Sequence, residues 1–149
     1  MGELAVCQQG GCLRTLLGSC LGVAFYDRRL KLAGLAHVVL PHTEGPADLP
    51  GKYANTAIPE LLRQMRQLAK GESLRPIAKL AGGANMFNSS GSVATIGEQN
   101  IAAVERLLEE QRIPVVARHL GGEQGRRIFL DSATGQLTVE IAGLDPTVL

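Results

Sequence analysis

Leu16-Leu17-Gly18-Ser19-Cys20-Leu21-Gly22-Val23-Ala24-Phe25-Tyr26-Asp27-Arg28-Arg29, followed after four residues by Gly34-Leu35-Ala36-His37-Val38-Val39-Leu40-Pro41, is the stretch on which the fold turns. An apolar run, a polar turn at 27–29 and a second apolar run read as strand, turn, strand. Such a hairpin can bring Cys20 and His37 together although they lie far apart in the chain. A thiol beside an imidazole is the minimal apparatus of a cysteine nucleophile, because the imidazole can take the thiol proton and leave a thiolate. Free cysteine is also a common small core residue, so chance pairing is the competing reading. Gly18 and Gly22 flank Cys20 symmetrically. Glycine permits a sharp turn and close approach of a substrate to the backbone, and amides freed at such a turn can line an oxyanion site.

Working outward, short strands are expected at 4–7, 12–17, 22–26 and 32–40. The loop 41–51 is rich in Pro, Gly and acid, and is long enough to be functional. Ile58, Leu61, Leu62, Met65 and Leu68 recur at helical spacing. Pro59 then belongs in the first turn of that helix, where a missing N–H is tolerated, and Gly71 in its C-terminal stop. A strand at 77–80 runs into Gly82-Gly83. A second helix at about 97–111 buries Ile101, Val104, Leu107 and Leu108. Strands at 114–120, 127–131 and 136–141 follow, the last two joined by the turn Ser132-Ala133-Thr134-Gly135. Residues 144–149 fall outside the pattern and are expected to form a loose tail. The elements do not alternate strictly enough for a doubly wound parallel sheet, so an α+β sandwich is expected.

The 149 residues suit one domain, 1–149, with a real core. Fifteen basic and fourteen acidic side chains leave a net charge of +1, and no basic stripe points to nucleic acid. Arg28-Arg29 and Arg126-Arg127 read as solvated surface. With no Trp and few other aromatics, the core must be built from Leu, Ile, Val and Ala. No stretch reads as a signal peptide or a membrane span, so a cytoplasmic protein with reduced thiols is expected. Cys7, Cys12 and Cys20 form no C-x-x-C pair. Their spacing, with His37, does not match common zinc sites, and no metal is expected. Neither Gly82-Gly83 nor Gly121-Gly122 opens a phosphate loop.

Several blocks together carry a family resemblance. They are Leu16-Leu17-Gly18-Ser19-Cys20, Tyr26-Asp27, Ala36-His37-Val38-Val39-Leu40-Pro41, Pro50-Gly51-Lys52-Tyr53-Ala54-Asn55-Thr56-Ala57 and Lys79-Leu80-Ala81-Gly82-Gly83-Ala84-Asn85-Met86-Phe87. Ile96-Gly97-Glu98-Gln99-Asn100, Leu120-Gly121-Gly122 and Arg126-Arg127 complete the set. In order and spacing, over about 4–141, the chain resembles the chemoreceptor glutamine deamidases of bacterial chemotaxis, the CheD family. The resemblance implies a three-layer sandwich, helices on two packed mixed β-sheets, similar to the catalytic domains of certain deamidating toxins. It implies cofactor-free hydrolysis of receptor glutamine side chains to glutamate, serving chemotactic adaptation. Cys20 would be the nucleophile and His37 the base. A threonine upstream of the cysteine orients the histidine in the family, sometimes six residues before it, where this chain has Arg14. Thr15 is the candidate here, its other reading being a plain strand residue. Gly18, Ser19, Met86 and Phe87 are the candidates for substrate contact. Met86 and Phe87 either cap the core or form a contact patch. The implied partners are methyl-accepting chemotaxis receptors and a CheC-type response-regulator phosphatase. Two other readings stand beside this one: a binding module with little catalysis, and a generic cysteine hydrolase or redox thiol protein.

Overall fold

The computed structural model describes residues 1–87, 91 and 93–149. In chain order the strands are β1 (Leu4–Gln8), β2 (Cys12–Leu17), β3 (Leu21–Asp27), β4 (Leu32–Val38), β5 (Ile77–Gly82), β6 (Val115–Leu120), β7 (Arg126–Asp131), β8 (Leu137–Glu140) and β9 (Thr147–Val148). Helix α1 spans Ala54–Ala69 and α2 spans Ile96–Glu110. One sheet has the order β1-β4-β3-β5-β6 and the other β2-β7-β8-β9. The larger sheet is mixed, because β5 and β6 run parallel with α2 as their crossover. The smaller sheet is antiparallel throughout, where two mixed sheets were expected.

Alternation along β3 sorts its side chains into two cores. Leu21, Val23 and Phe25 point, with Leu32, Ala36 and Val38 of β4, toward Ile58, Leu61 and Met65 of α1 and Val104 and Leu108 of α2. Ala24, Tyr26, Ala33 and Leu35 point the other way, toward Leu17, Ile128, Leu130, Leu137 and Val139 of the second sheet. The result is an α+β sandwich of three layers: helices, five-stranded sheet, four-stranded sheet. Every residue of β3 and β4 is buried, as their unbroken apolar runs require of central strands covered on both faces. Asp27 ends β3 with its carboxylate buried. It accepts the amides of Arg29 and Leu30 at 3.0 Å each and of Arg75 at 2.8 Å, which closes the hairpin turn.

Four expectations need correction. First, α1 starts well before Pro59. No side chain caps it, but Ala54 N donates to Leu40 O at 3.0 Å and so hangs the first turn on the end of β4. Pro59 therefore lies inside the helix and deletes a bond to the Asn55 carbonyl, a cost of about 3 kcal/mol. Burial of Ile58, Leu61, Leu62 and Met65 outweighs it, at about 2 kcal/mol each. Second, the left-handed stop of α1 falls on Lys70 as well as on Gly71. Third, the tail is tied down: β9 pairs with β8, and Leu149 exchanges two backbone bonds with Leu137 at 2.9 and 3.1 Å. Fourth, Arg126 is buried at 3 % exposure, whereas Arg28, Arg29 and Arg127 are exposed. Helix α2 also carries a capping box, Thr95 with Glu98, that fixes its first turn.

Candidate active site

The chain crosses from the second sheet to the first through the turn 18–20, between β2 and β3. Two backbone bonds from the segment after β5 hold this turn. Gly83 N donates to Cys20 O at 2.9 Å, and Ala84 N donates to Gly18 O at 3.0 Å. Gly82 makes that approach possible. Its φ is +116°, and a Cβ built on it would stand 2.3 Å from the Cys20 carbonyl oxygen. Among the described residues, the amides of Ser19 and Cys20 donate to no backbone carbonyl.

His37 sits on β4 opposite Gly22 of β3, on the face turned toward the second sheet. Cys20 precedes Gly22 by two residues and shares that face, diagonal to His37. Diagonal neighbours of this kind have Cβ atoms about 7 Å apart, within reach of longer side chains. Both residues are buried, Cys20 at 8 % and His37 at 6 % exposure. Thr15 reaches the imidazole from the opposite sheet, its Oγ1 2.8 Å from Nδ1. In β2 Thr15 faces inward and Arg14 is exposed on the outer face. The other ring nitrogen, Nε2, is buried and has no hydrogen-bond partner among the described residues. No hydrogen bond joins Cys20 to His37.

Burial governs the protonation of both groups. It pushes the Cys20 thiol above its ordinary value of 9.0 and the His37 imidazole below its ordinary 6.5. The resting pair is therefore a neutral thiol and a neutral imidazole. Thr15 bears on the tautomer. If Nδ1 carries the proton, it donates to Thr15 Oγ1 and leaves Nε2 as a buried lone pair. A groove of about 480 Å³ runs past Glu3, Leu13, Thr15, Leu35, His37 and Gln64, between the open edges of β1 and β2. It reaches the imidazole but is not lined by Cys20.

Met86 and Phe87 are exposed, at 49 and 87 %, so neither caps the core. The Met86 sulfur lies against Gly18, where a Cβ would meet it at 2.5 Å. Phe87 therefore stands out beside the cysteine turn with Met86 at its base. Ser19 is half-buried. Cys12 is exposed on β2, and Cys7 is packed at the edge of the inter-sheet core. His42 is exposed, and His119 belongs to a separate cluster with Arg126. That buried arginine had no signal in the sequence, since adjacent arginines ordinarily mark surface. Among the described residues, no three metal-type side chains converge, and no helix is long and apolar enough to cross a membrane.

The profile of the family described as "CheD chemotactic sensory transduction" matches residues 39–141. A probable chemoreceptor glutamine deamidase CheD of Clostridium botulinum (strain Eklund 17B / Type B) is 47 % identical over 133 residues, 86 % of this chain and 81 % of the relative. The chemoreceptor glutamine deamidase CheD of Thermotoga maritima is 41 % identical over 145 residues, covering 96 % of this chain and 90 % of its own. A probable chemoreceptor glutamine deamidase CheD of Methanococcus maripaludis (strain S2) is 40 % identical over 141 residues, 93 % of this chain and 90 % of the relative. The profile match begins just after His37. The Thermotoga match leaves too little of the chain uncovered to omit the stretch from Thr15 to His37.

Proposed function

The chain belongs to the CheD family, and on that premise we propose that it deamidates glutamine side chains of chemoreceptors, with Cys20 as nucleophile, His37 as base and Thr15 as the residue that orients His37. One observation carries the reading. His37 has one ring nitrogen against a hydroxyl at 2.8 Å, and the other is a buried nitrogen with no partner among the described residues, on the sheet face that Cys20 shares. A buried polar nitrogen left unmatched is costly for a purely structural histidine, and it suits one that accepts a proton during reaction.

The steps follow from the neutral resting pair. A receptor glutamine amide enters, and His37 Nε2 takes the Cys20 proton as the sulfur bonds to the amide carbon. The carbonyl oxygen becomes an oxyanion, for which the amides of Ser19 and Cys20 are the candidate donors. His37 then passes its proton to the amide nitrogen, the C–N bond breaks, and ammonia leaves. Water attacks the remaining thioester with His37 as base. The C–S bond breaks, the thiol is restored, and glutamate remains on the receptor. The sum is one amide and one water converted to one carboxylic acid and one ammonia. Proton transfer concerted with attack suits a buried thiol held above 9.0, because a free thiolate would be desolvated.

Receptor contact falls to Gly18, Ser19, Met86 and Phe87. An exposed methionine and an exposed phenylalanine beside the cysteine form the apolar anchor that a helix-borne substrate would meet. A CheC-type phosphatase is the second partner in this proposal, competing for the same surface. The whole chain, 1–149, acts as one domain in the cytoplasm. Incubation with a chemoreceptor cytoplasmic fragment, followed by peptide mass spectrometry, tests the activity. Glutamine-to-glutamate conversion at defined positions is expected, and a fragment returned unchanged would refute the proposal.

A further inference from the structure

Arg126 opens β7 directly opposite Leu17, the residue before the cysteine turn, and is 97 % shielded from solvent by its 3 % exposure. No carboxylate pairs with it among the described residues. Its guanidinium instead donates to the end of β6 and to the turn that follows it. Nη1 reaches His119 O at 2.5 Å and His119 Nδ1 at 2.8 Å, and Nη2 reaches Gly121 O. Arginine has no acceptor atom, so His119 Nδ1 must be the acceptor. A buried cation without a counter-charge is an expensive way to fill space, and an apolar side chain of similar volume would be cheaper. Its bonds show what it achieves.

β7 belongs to the second sheet and β6 to the first. Arg126 thus ties the two sheets together at the end where the 18–20 turn crosses between them. From the clamped turn the backbone bonds run back to the cysteine. Gly121 N donates to Gly82 O at 2.9 Å and Asn85 N to Gly122 O at 2.8 Å. Ala84 and Gly83 then hold Gly18 and Cys20. Met86 continues that segment and lies on Gly18. Three loops are therefore locked to one another, and the guanidinium is the side-chain tie that fixes them to the second sheet.

We infer that Arg126 is a positioning residue for the nucleophile: by clamping the His119 and Gly121 carbonyls it fixes the loops that hold the 18–20 turn, and so sets Cys20 in place beside His37. This rests on the reading of Cys20 as nucleophile. A fork is needed, because the two carbonyls are held from two nitrogens in one plane, which a lysine ammonium cannot reproduce.

The test uses the full chain with Cys7→Ser and Cys12→Ser as background, so that Cys20 is its only thiol. Arg126→Met, Arg126→Lys and the exposed neighbour Arg127→Ala are compared by receptor deamidation and by iodoacetamide alkylation of Cys20. Arg126→Met is expected to lose about tenfold or more in kcat with KM within about twofold, and to alkylate several-fold faster as the cover over the thiol opens. Arg126→Lys should fall between Arg126→Met and the background, and Arg127→Ala should match the background. If Arg126→Met does not fold, Arg126→Lys decides by the same two readings. Background values of kcat and alkylation rate in the Arg126 variant that is read would overturn the inference, whatever its melting temperature. Alkylation is measured without turnover, so an inactive parent would refute the deamidase proposal and still leave the clamp tested.

Discussion

Thr15→Val removes one oxygen from the site and keeps the β-branched shape that suits strand β2. It deletes the 2.8 Å bond to Nδ1 of His37, a residue only 6 % exposed. In the reactive tautomer, Nδ1 carries the proton and would then be a buried donor with no acceptor. Such a donor costs about 1–3 kcal/mol. The imidazole escapes the penalty by moving its proton to Nε2, the nitrogen that must accept from Cys20. The penalty therefore falls on the reactive form. At about 1.4 kcal/mol per factor of ten, its population drops roughly 5- to 150-fold. kcat for receptor-fragment deamidation should fall in that range, with KM moving less than about twofold. Thr15→Ser, which keeps the hydroxyl, should recover most of the rate, and nitrogen NMR of the His37 ring should report the tautomer change directly. A Thr15→Val enzyme with parental kcat would refute the orienting role.

Three further outcomes bear on the site. Since burial holds His37 below 6.5, the acid limb of kcat/KM should be centred below 6.5; a limb above that value contradicts the neutral-pair account. The same depressed imidazole gives folding stability that is complete above 6.5 and lost as pH falls toward its folded value. Melting temperatures between neutral pH and about pH 5 should therefore fall more steeply for the parent than for His37→Gln. Phe87→Ala, at an 87 % exposed site, should change stability by less than about 0.5 kcal/mol and raise KM for the receptor fragment about fivefold or more. A marked drop in melting temperature would instead assign Phe87 to the core.

The central hairpin was legible because β3 and β4 are buried on both faces, and a doubly covered strand must be written as an unbroken apolar run with its turn in polar residues. The buried stripes of both helices were legible because a helix covered on one face repeats its apolar residues at helical spacing. What escaped depends on distant partners. The start of α1 is set by the Leu40 carbonyl, not by a capping side chain, so Pro59 reads as a first-turn signal although it lies inside the helix. The last residues look unpatterned, yet the free edge of β8 recruits them. Arg126 looks like surface until the turn at Gly121 supplies its acceptors. For the candidate site, the sequence offers Cys20 and His37 but not the side of β2 that faces them. Thr15 is inward because Leu13 and Leu17, two residues to either side, fill the inter-sheet core.

The role of Cys20 is tested most directly by receptor deamidation with two proteins: Cys20→Ala, and the Cys7→Ser, Cys12→Ser double variant that keeps only Cys20. All three substitutions are small, so both proteins should fold. The account predicts full glutamine-to-glutamate conversion by the double variant and none above background by Cys20→Ala. Conversion by Cys20→Ala at the parental rate would contradict it.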